Sequence, residues 1–163
     1  MLRLSAIGLE TTHGFIYPAL INGYDPERLR SNSPEIVSSI FPTDGAPSVQ
    51  GARIVACFDP DPVLAHTVAE ACLIERVCAR FEDALQGVDG VLILAGDARA
   101  HRALATPALE AGLATFVDKP FAASTSEGEA LVELSERCEH RCSARLPCAL
   151  LRKWWPCGAA CQT

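Results

Sequence analysis

The side chain with the clearest chemical potential is a lysine between an aspartate and a proline, in the pentapeptide DKPFA at residues 118–122. Proline restricts its own backbone and that of the residue before it, so Lys119 is predicted to lie on a rigid turn. Its ammonium group could donate hydrogen bonds to a substrate oxygen or to the amide of a bound cofactor. The alternative is a turn lysine that only contacts solvent.

Three other stretches place polar residues directly after apolar runs. These are GLETTHG at residues 8–14, Asp59 after ARIVACF, and AGDARAHR, which contains Gly96, Asp97 and His101. An aspartate that follows a strand can accept hydrogen bonds from a ribose diol, and it would oppose a 2′-phosphate, which favours NAD over NADP. The alternatives are that Asp59 is only an Asp-Pro turn residue and that His101 is a surface side chain.

GLETTHG only partly matches the glycine fingerprint of dinucleotide-binding turns. That fingerprint places glycine at three spaced positions, so that the backbone and a helix N-terminus can approach a diphosphate. Gly8 fits the first position, whereas Glu10 and His13 occupy the second and third. A carboxylate beside a diphosphate is unfavourable. The alternative is an ordinary strand-to-helix turn in which Thr11 or Thr12 is the N-cap.

The elements that must position these residues are short apolar runs alternating with helical patterns. The patterns predict strands at 2–7, 52–58, 75–79, 91–95 and 114–118, and helices at 13–22, 62–73, 81–87, 98–111 and 124–137. Such alternation, with nearly continuous apolar strands, is typical of a parallel sheet covered on both faces. We therefore predict an α/β fold, a Rossmann-like doubly wound parallel sheet, whose ligand lies beyond the carboxyl ends of the strands.

Composition limits the functions that are open to the chain. Its net charge is −6, and the basic stretch 138–163 leaves −9 for residues 1–137, which argues against a general nucleic-acid surface. The sequence has no apolar run long enough to span a bilayer and no pattern of a secretion signal, so we expect a cytoplasmic protein without a membrane partner. Cys57, Cys72 and Cys78 are expected to be small buried side chains.

The four strand-end stretches together resemble one family. GVDGVLILAGDARAHRALATPALEAGLATFVDKPFAAS resembles the Gfo/Idh/MocA oxidoreductases, which carry a strand, a turn, a His-containing helix, "ALEAGK" and an "EKP" or "DKP" strand end. GLETTHG is similar to a branch whose first turn is like "GLDTSH". The resemblance covers residues 2–137, and DKPFA is its most specific part.

The resemblance implies a cofactor site built from strand-end residues. They are Gly8, Thr12, His13, Asp59, Ala95, Gly96, His101, Asp118, Lys119 and Pro120. By this resemblance the first-turn residues line the phosphates, Asp59 meets the adenosine ribose, and the residues after the fourth strand flank the nicotinamide ribose. Lys119 would lie near the nicotinamide and the substrate, as the catalytic candidate.

The family passes a hydride between NAD(P) and a sugar or polyol carbon, so we expect NAD (or NADP) as cofactor and a small sugar or polyol-like alcohol as substrate. Family members have a second α/β domain that forms the substrate wall, and this chain stops before it. We therefore expect the nucleotide-binding half of an oxidoreductase, weak or inactive alone, which forms an oligomer only if the second domain exists. The alternative is a non-catalytic binding or regulatory domain that has lost the cofactor.

Two further segments stand apart from this pattern. Residues 23–51 are rich in Pro, Ser, Asn and Gly, and are predicted to form a long inserted loop within the domain at 1–137. Residues 138–163 form a basic, Cys-rich tail that is not expected to be a domain. A zinc site there, from Cys138-x3-Cys142 and Cys157-x3-Cys161 with His140, has unusual spacing, so we assign no metal ligands.

We interpret this tail as a frameshift product. A one-base shift over residues 140–156 allows the recoded sequence APVFSASAVRSAPEVVA, which is similar to the family's "GVPVFSSSSLRYAPEV" after this helix. The interpretation accounts for the excess of Cys and Trp, the basic charge and the missing second domain. It predicts a truncated chain whose sheet lacks its sixth strand.

Overall fold

A computed structural model describes residues 1–41 and 49–139 of the chain. These residues form a sheet of parallel strands, namely β1 (Leu2–Ile7), β2 (Ala52–Phe58), β3 (Arg76–Val77), β4 (Gly90–Ile93) and β5 (Ala114–Val117). The spatial order is β3-β2-β1-β4-β5. The prediction of a doubly wound parallel sheet is confirmed. The chain reverses its direction of travel across the sheet between β1 and β4, which makes that junction the topological switch point.

The helices cover both faces of the sheet. They are α1 (Thr12–Asn22), α2 (Pro26–Asn32), α3 (Glu35–Ile40), α4 (Pro62–Ala71), α5 (Phe81–Ala84), α6 (Ala98–Glu110) and α7 (Thr125–Glu139). One apolar cluster packs α1–α4 against one face, and a second packs α5–α7 against the other. No helix in the described part of the chain is long and apolar enough to cross a membrane.

The prediction of a loop throughout residues 23–51 is wrong, because α2 and α3 lie within it. The Asp25 side chain accepts hydrogen bonds from the backbone N–H groups of Glu27 and Arg28, and Pro26 follows as the first helical residue. This is the same N-terminal signal that Asp61 and Pro62 provide for α4. Leu29 and Val37 are 2% and 0% exposed, so these short helices contribute to the core despite the polar composition of the segment.

Other boundaries differ from the predictions by a few residues. β3 has two residues instead of the predicted five, and within the described sheet it is an edge strand that pairs only with β2. β4 ends at Ile93, two residues earlier than predicted. The Ser124 hydroxyl caps α7 by accepting from the backbone N–H of Glu127, as the capping box predicts. The predictions for the tail concern residues outside the described ranges, apart from Cys138 and Glu139 in the last turn of α7.

A buried asparagine bonds to β2 at the point where its pairing with β1 is irregular. The register of β1 against β2 shifts between Leu4 and Ser5, opposite Ile54. The Asn22 carboxamide donates to the Ile54 carbonyl and accepts from the Ile54 N–H, both at 2.8 Å, and it also donates to the carbonyls of Cys72 and Leu73. One side chain therefore links the end of α1 to β2 and to the segment after α4.

The predicted burial of three cysteines is confirmed: Cys57, Cys72 and Cys78 are 0%, 0% and 6% exposed. Burial raises the pKa of Cys57 and the pKa of Cys72 to about 12. Both thiols therefore stay protonated near neutral pH, and a nucleophilic role would need the thiolate. They serve as small apolar side chains in the core.

Candidate functional site

The strand register brings the predicted site turns to one edge of the sheet. Ile7 pairs with both Phe58 and Ile93, and Ile93 pairs with Val117, so four parallel strands end at the same level. The residues that follow them begin the turns after β1, β2, β4 and β5. The structure thus places the predicted stretches side by side, at the edge where ligands of open α/β sheets bind.

The turns after β1 and β4 approach each other closely. Gly8 has φ of +75°, and a Cβ atom there would lie 2.7 Å from the backbone of Ala95. Gly96 is also confined, because a Cβ atom there would lie 2.9 Å from Cγ2 of Thr11. A side chain is therefore excluded at Gly8, and one at Gly96 would require Thr11 to move, so the two turns pack closely at the switch point.

Asp59 joins the first turn to the end of β2. The residue is 7% exposed, and its carboxylate accepts two hydrogen bonds from backbone. One oxygen accepts from the backbone N–H of Leu9 at 2.6 Å and the other from that of Asp61 at 2.9 Å. The alternative of an Asp-Pro turn residue is therefore correct in part, since the bond from Asp61 is a local turn contact, whereas the bond from Leu9 crosses to the turn after β1. Each carboxylate oxygen has a further lone pair that could accept a ribose hydroxyl.

Two side chains of the first turn bridge to the turn after β4. The Glu10 Oε1 atom accepts from the backbone N–H of Gly96 at 2.7 Å. The Thr11 hydroxyl donates to the Leu94 carbonyl at 3.2 Å. Thr11 occupies the N-cap position of α1, but its side chain makes no cap hydrogen bond, because its hydroxyl contacts β4 instead. Neither bridge was predicted, since each joins residues more than eighty positions apart.

His13 contacts the turn that carries the candidate lysine. Its Nδ1–H donates to the carboxylate of Asp118, whose side chain is 5% exposed compared with 24% for His13. The His13 ring also packs against Tyr17, with centroids 5.0 Å apart, and Tyr17 packs edge-on against Phe116 of β5. Burial, and then the charge of Asp118, raise the pKa of Tyr17. The residue at the third fingerprint position thus fixes α1 to the end of β5.

His101 is fully buried, so the alternative of a surface histidine is wrong. Its Nε2–H donates to the Ala95 carbonyl at 2.7 Å, and its Nδ1 lies 3.3 Å from the Phe121 carbonyl. The ring therefore bonds to the turn after β4 and lies beside the segment after β5. Its direct contact with a cofactor remains a prediction.

Lys119 follows Asp118 at the same edge, and its side chain is exposed. It makes no hydrogen bond or ion pair with the described residues, so its ammonium group is available to a ligand. Thr12 begins α1 beside the crevice, and Pro120 is exposed after Lys119. Among the residues that the structure describes, no group of three His, Cys, Asp or Glu side chains could hold a metal ion.

The chain is similar to proteins of one family. Residues 42–145 match the model of the Gfo/Idh/MocA oxidoreductases, described as an oxidoreductase family with an NAD-binding Rossmann fold. An inositol 2-dehydrogenase of Corynebacterium glutamicum (strain R) is 35% identical over 91 residues, which is 55% of this chain and 27% of that protein. The family match begins after the first turn and does not cover Gly8 to His13. The prediction that these residues belong to the site depends on the structure and on the sequence resemblance.

Solved structures give the same result. A Gfo/Idh/MocA family oxidoreductase from Vibrio cholerae is 28% identical with a TM-score of 0.61, over 85% of this chain and 36% of that one. An oxidoreductase from Agrobacterium radiobacter, crystallised with NAD+, L-tartaric acid and magnesium, is 26% identical with a TM-score of 0.58, over 85% and 33%. The chain therefore spans only about a quarter to a third of the length of these relatives.

Proposed function

We propose, from the premise that this chain belongs to the Gfo/Idh/MocA oxidoreductase family, that residues 1–137 are the nucleotide-binding domain of an NAD-dependent oxidoreductase. The reaction that we propose for the whole protein is hydride transfer to or from a small sugar or polyol-like alcohol. The observation that supports the proposal is that four parallel strands end at the same level, at a switch point where the turns after β1 and β4 pack closely.

The residues present fit a dinucleotide. Gly8 allows the first turn to approach the Ala95 backbone closely, so the turns after β1 and β4 meet at the switch point, where open α/β sheets bind dinucleotides. Asp59 is already held in place by Leu9 and Asp61, so it would accept a ribose hydroxyl without losing the freedom of a mobile side chain. Its negative charge would oppose a 2′-phosphate, which favours NAD over NADP.

The bound nicotinamide cofactor supplies the hydride chemistry. In our proposal Lys119 donates a hydrogen bond to the substrate oxygen or to the cofactor amide, from a turn that the His13–Asp118 contact holds in place. His101 acts through backbone, since its bond to the Ala95 carbonyl sets the position of the turn after β4. The three parts of the site thus have separate tasks. Asp59 recognises the ribose, the first turn binds the phosphates, and Lys119 makes the polar contact at the reacting end.

Titration of the chain with NADH and NADPH, followed by nicotinamide fluorescence, tests the proposal. We expect saturable binding of NADH in the micromolar to submillimolar range, and about tenfold weaker binding of NADPH because Asp59 repels the 2′-phosphate. The absence of binding at millimolar concentration, by a chain with intact circular dichroism, would refute the cofactor assignment. Tighter binding of NADPH would refute only the role of Asp59.

A second candidate is a non-catalytic binding or regulatory domain that does not use the cofactor. It is supported by Glu10 and His13, whose side chains replace fingerprint glycines and bond across the crevice. This candidate would be preferred if neither the wild-type chain nor a Glu10→Gly variant bound NAD at millimolar concentration.

A further inference from the structure

We infer that the Glu10 carboxylate is an internal competitor of the cofactor, which occupies the Gly96 N–H in the free chain and must leave when NAD binds. The inference rests on the proposed function, because it concerns the same crevice. It assigns to Glu10 the role of setting the affinity of the site.

Three side chains at the start of α1 and in the turn before it make bridges to the ends of other strands, and only the Glu10 bridge is easily displaced. The His13–Asp118 contact involves a carboxylate that is 5% exposed, and the Thr11–Leu94 bond is partly buried. The Glu10–Gly96 bond is exposed and is made by the end of a flexible side chain. Water can solvate Glu10 as soon as it leaves, so its release costs little more than one hydrogen bond.

The bond also occupies a group that a ligand would need. Gly96 follows β4 at the switch point, and its N–H donates to the Glu10 carboxylate, which reaches it from the first turn. An oxygen of a bound cofactor and the Glu10 carboxylate cannot both accept from this N–H at 2.7 Å. Binding of one therefore excludes the other.

Charge acts in the same direction. Glu10 forms no ion pair with the described residues, and the exposed Arg99, three residues after Gly96, is paired with Asp97. An unneutralised carboxylate in the first turn would repel the diphosphate of NAD. Removal of its charge should help binding, and removal of its hydrogen bond should help further.

The experiment compares NAD+ and NADH affinities of the wild-type chain, Glu10→Gln and Glu10→Ala. Gln retains an oxygen that can accept from Gly96 but has no charge, whereas Ala removes both. We expect Glu10→Ala to bind about tenfold more tightly than wild type and Glu10→Gln about threefold more tightly. The gain in NAD affinity should become smaller as the salt concentration rises, because ions screen the repulsion between Glu10 and the diphosphate. Glu133→Gln, which removes one charge from exposed α7, should leave the affinity unchanged.

Hydrogen exchange of the Gly96 amide gives a second measurement that does not depend on affinity. Without ligand, exchange should be faster in Glu10→Ala than in wild type and nearly unchanged in Glu10→Gln. Saturating NAD+ should slow it in all three. If the wild type binds NAD but neither variant binds more tightly, the inference is overturned and the proposed function stands. If none of the proteins binds NAD, the proposed function itself fails, and the inference fails with it.

Discussion

Replacement of Gly8 by alanine is expected to lower the free energy of unfolding by about 3 kcal/mol and to weaken NADH binding by at least about tenfold. Part of the cost arises because a non-glycine residue is strained at φ of +75°. The rest arises because the new Cβ atom would lie 2.7 Å from the Ala95 backbone, so β1 and β4 would have to separate at the site. Urea unfolding and NADH titration measure the two effects.

Gly87→Ala is the matched control for Gly8→Ala. Gly87 has φ of +69°, but a Cβ atom there would meet nothing within 4 Å. Gly87→Ala should therefore lower the free energy of unfolding only through backbone strain, by about 1 kcal/mol, and leave NADH binding intact. If Gly8→Ala costs no more than Gly87→Ala, the close approach of the two turns is not a feature of the folded chain.

Asn22→Leu is expected to destabilise the chain by about 3 kcal/mol without a direct effect on the cofactor site. Leucine has a similar size but leaves the N–H and the carbonyl of Ile54 buried without their partner. Unpaired buried backbone groups cost about 1–3 kcal/mol each. Denaturant unfolding followed by circular dichroism gives the change.

Asn32→Leu is the control for Asn22→Leu, since its carboxamide makes one exposed bond to the Arg28 carbonyl. We expect this change to cost less than about 0.5 kcal/mol. A loss for Asn22→Leu within that range would show that water or another group satisfies Ile54, and that Asn22 does not support the irregular part of β2.

The sheet and the location of the site could be predicted from the sequence because both depend on local patterns. Apolar runs and their polar ends give strands and turns, and parallel pairing then places Gly8, Asp59 and Asp118 at one edge without knowledge of any tertiary contact. The helices within 23–51 were missed for a local reason as well. The Asp25-Pro26 signal was outweighed by a polar composition, although the equivalent Asp61-Pro62 signal was recognised.

The side-chain bridges could not be predicted, because they depend on distance in space. His13 and Asp118 are 105 positions apart, and Glu10 and Gly96 are 86 apart. The sequence indicated only that Glu10 and His13 occupy positions where the dinucleotide-binding fingerprint has glycine. The structure gives each of them a partner: Glu10 joins the first turn to the turn after β4, and His13 joins α1 to the end of β5.

We propose that NAD lies across the carboxyl ends of β1, β2, β4 and β5. This proposal is tested most directly by titration of the isotope-labelled wild-type chain with NAD+, with the backbone amide resonances as the readout. We predict that the resonances that shift cluster at residues 8–13, 59–61, 95–97 and 118–120, while those of the outer face of α4 remain unchanged. Saturable shifts confined to other parts of the chain, or no shifts at millimolar NAD+, would contradict the account.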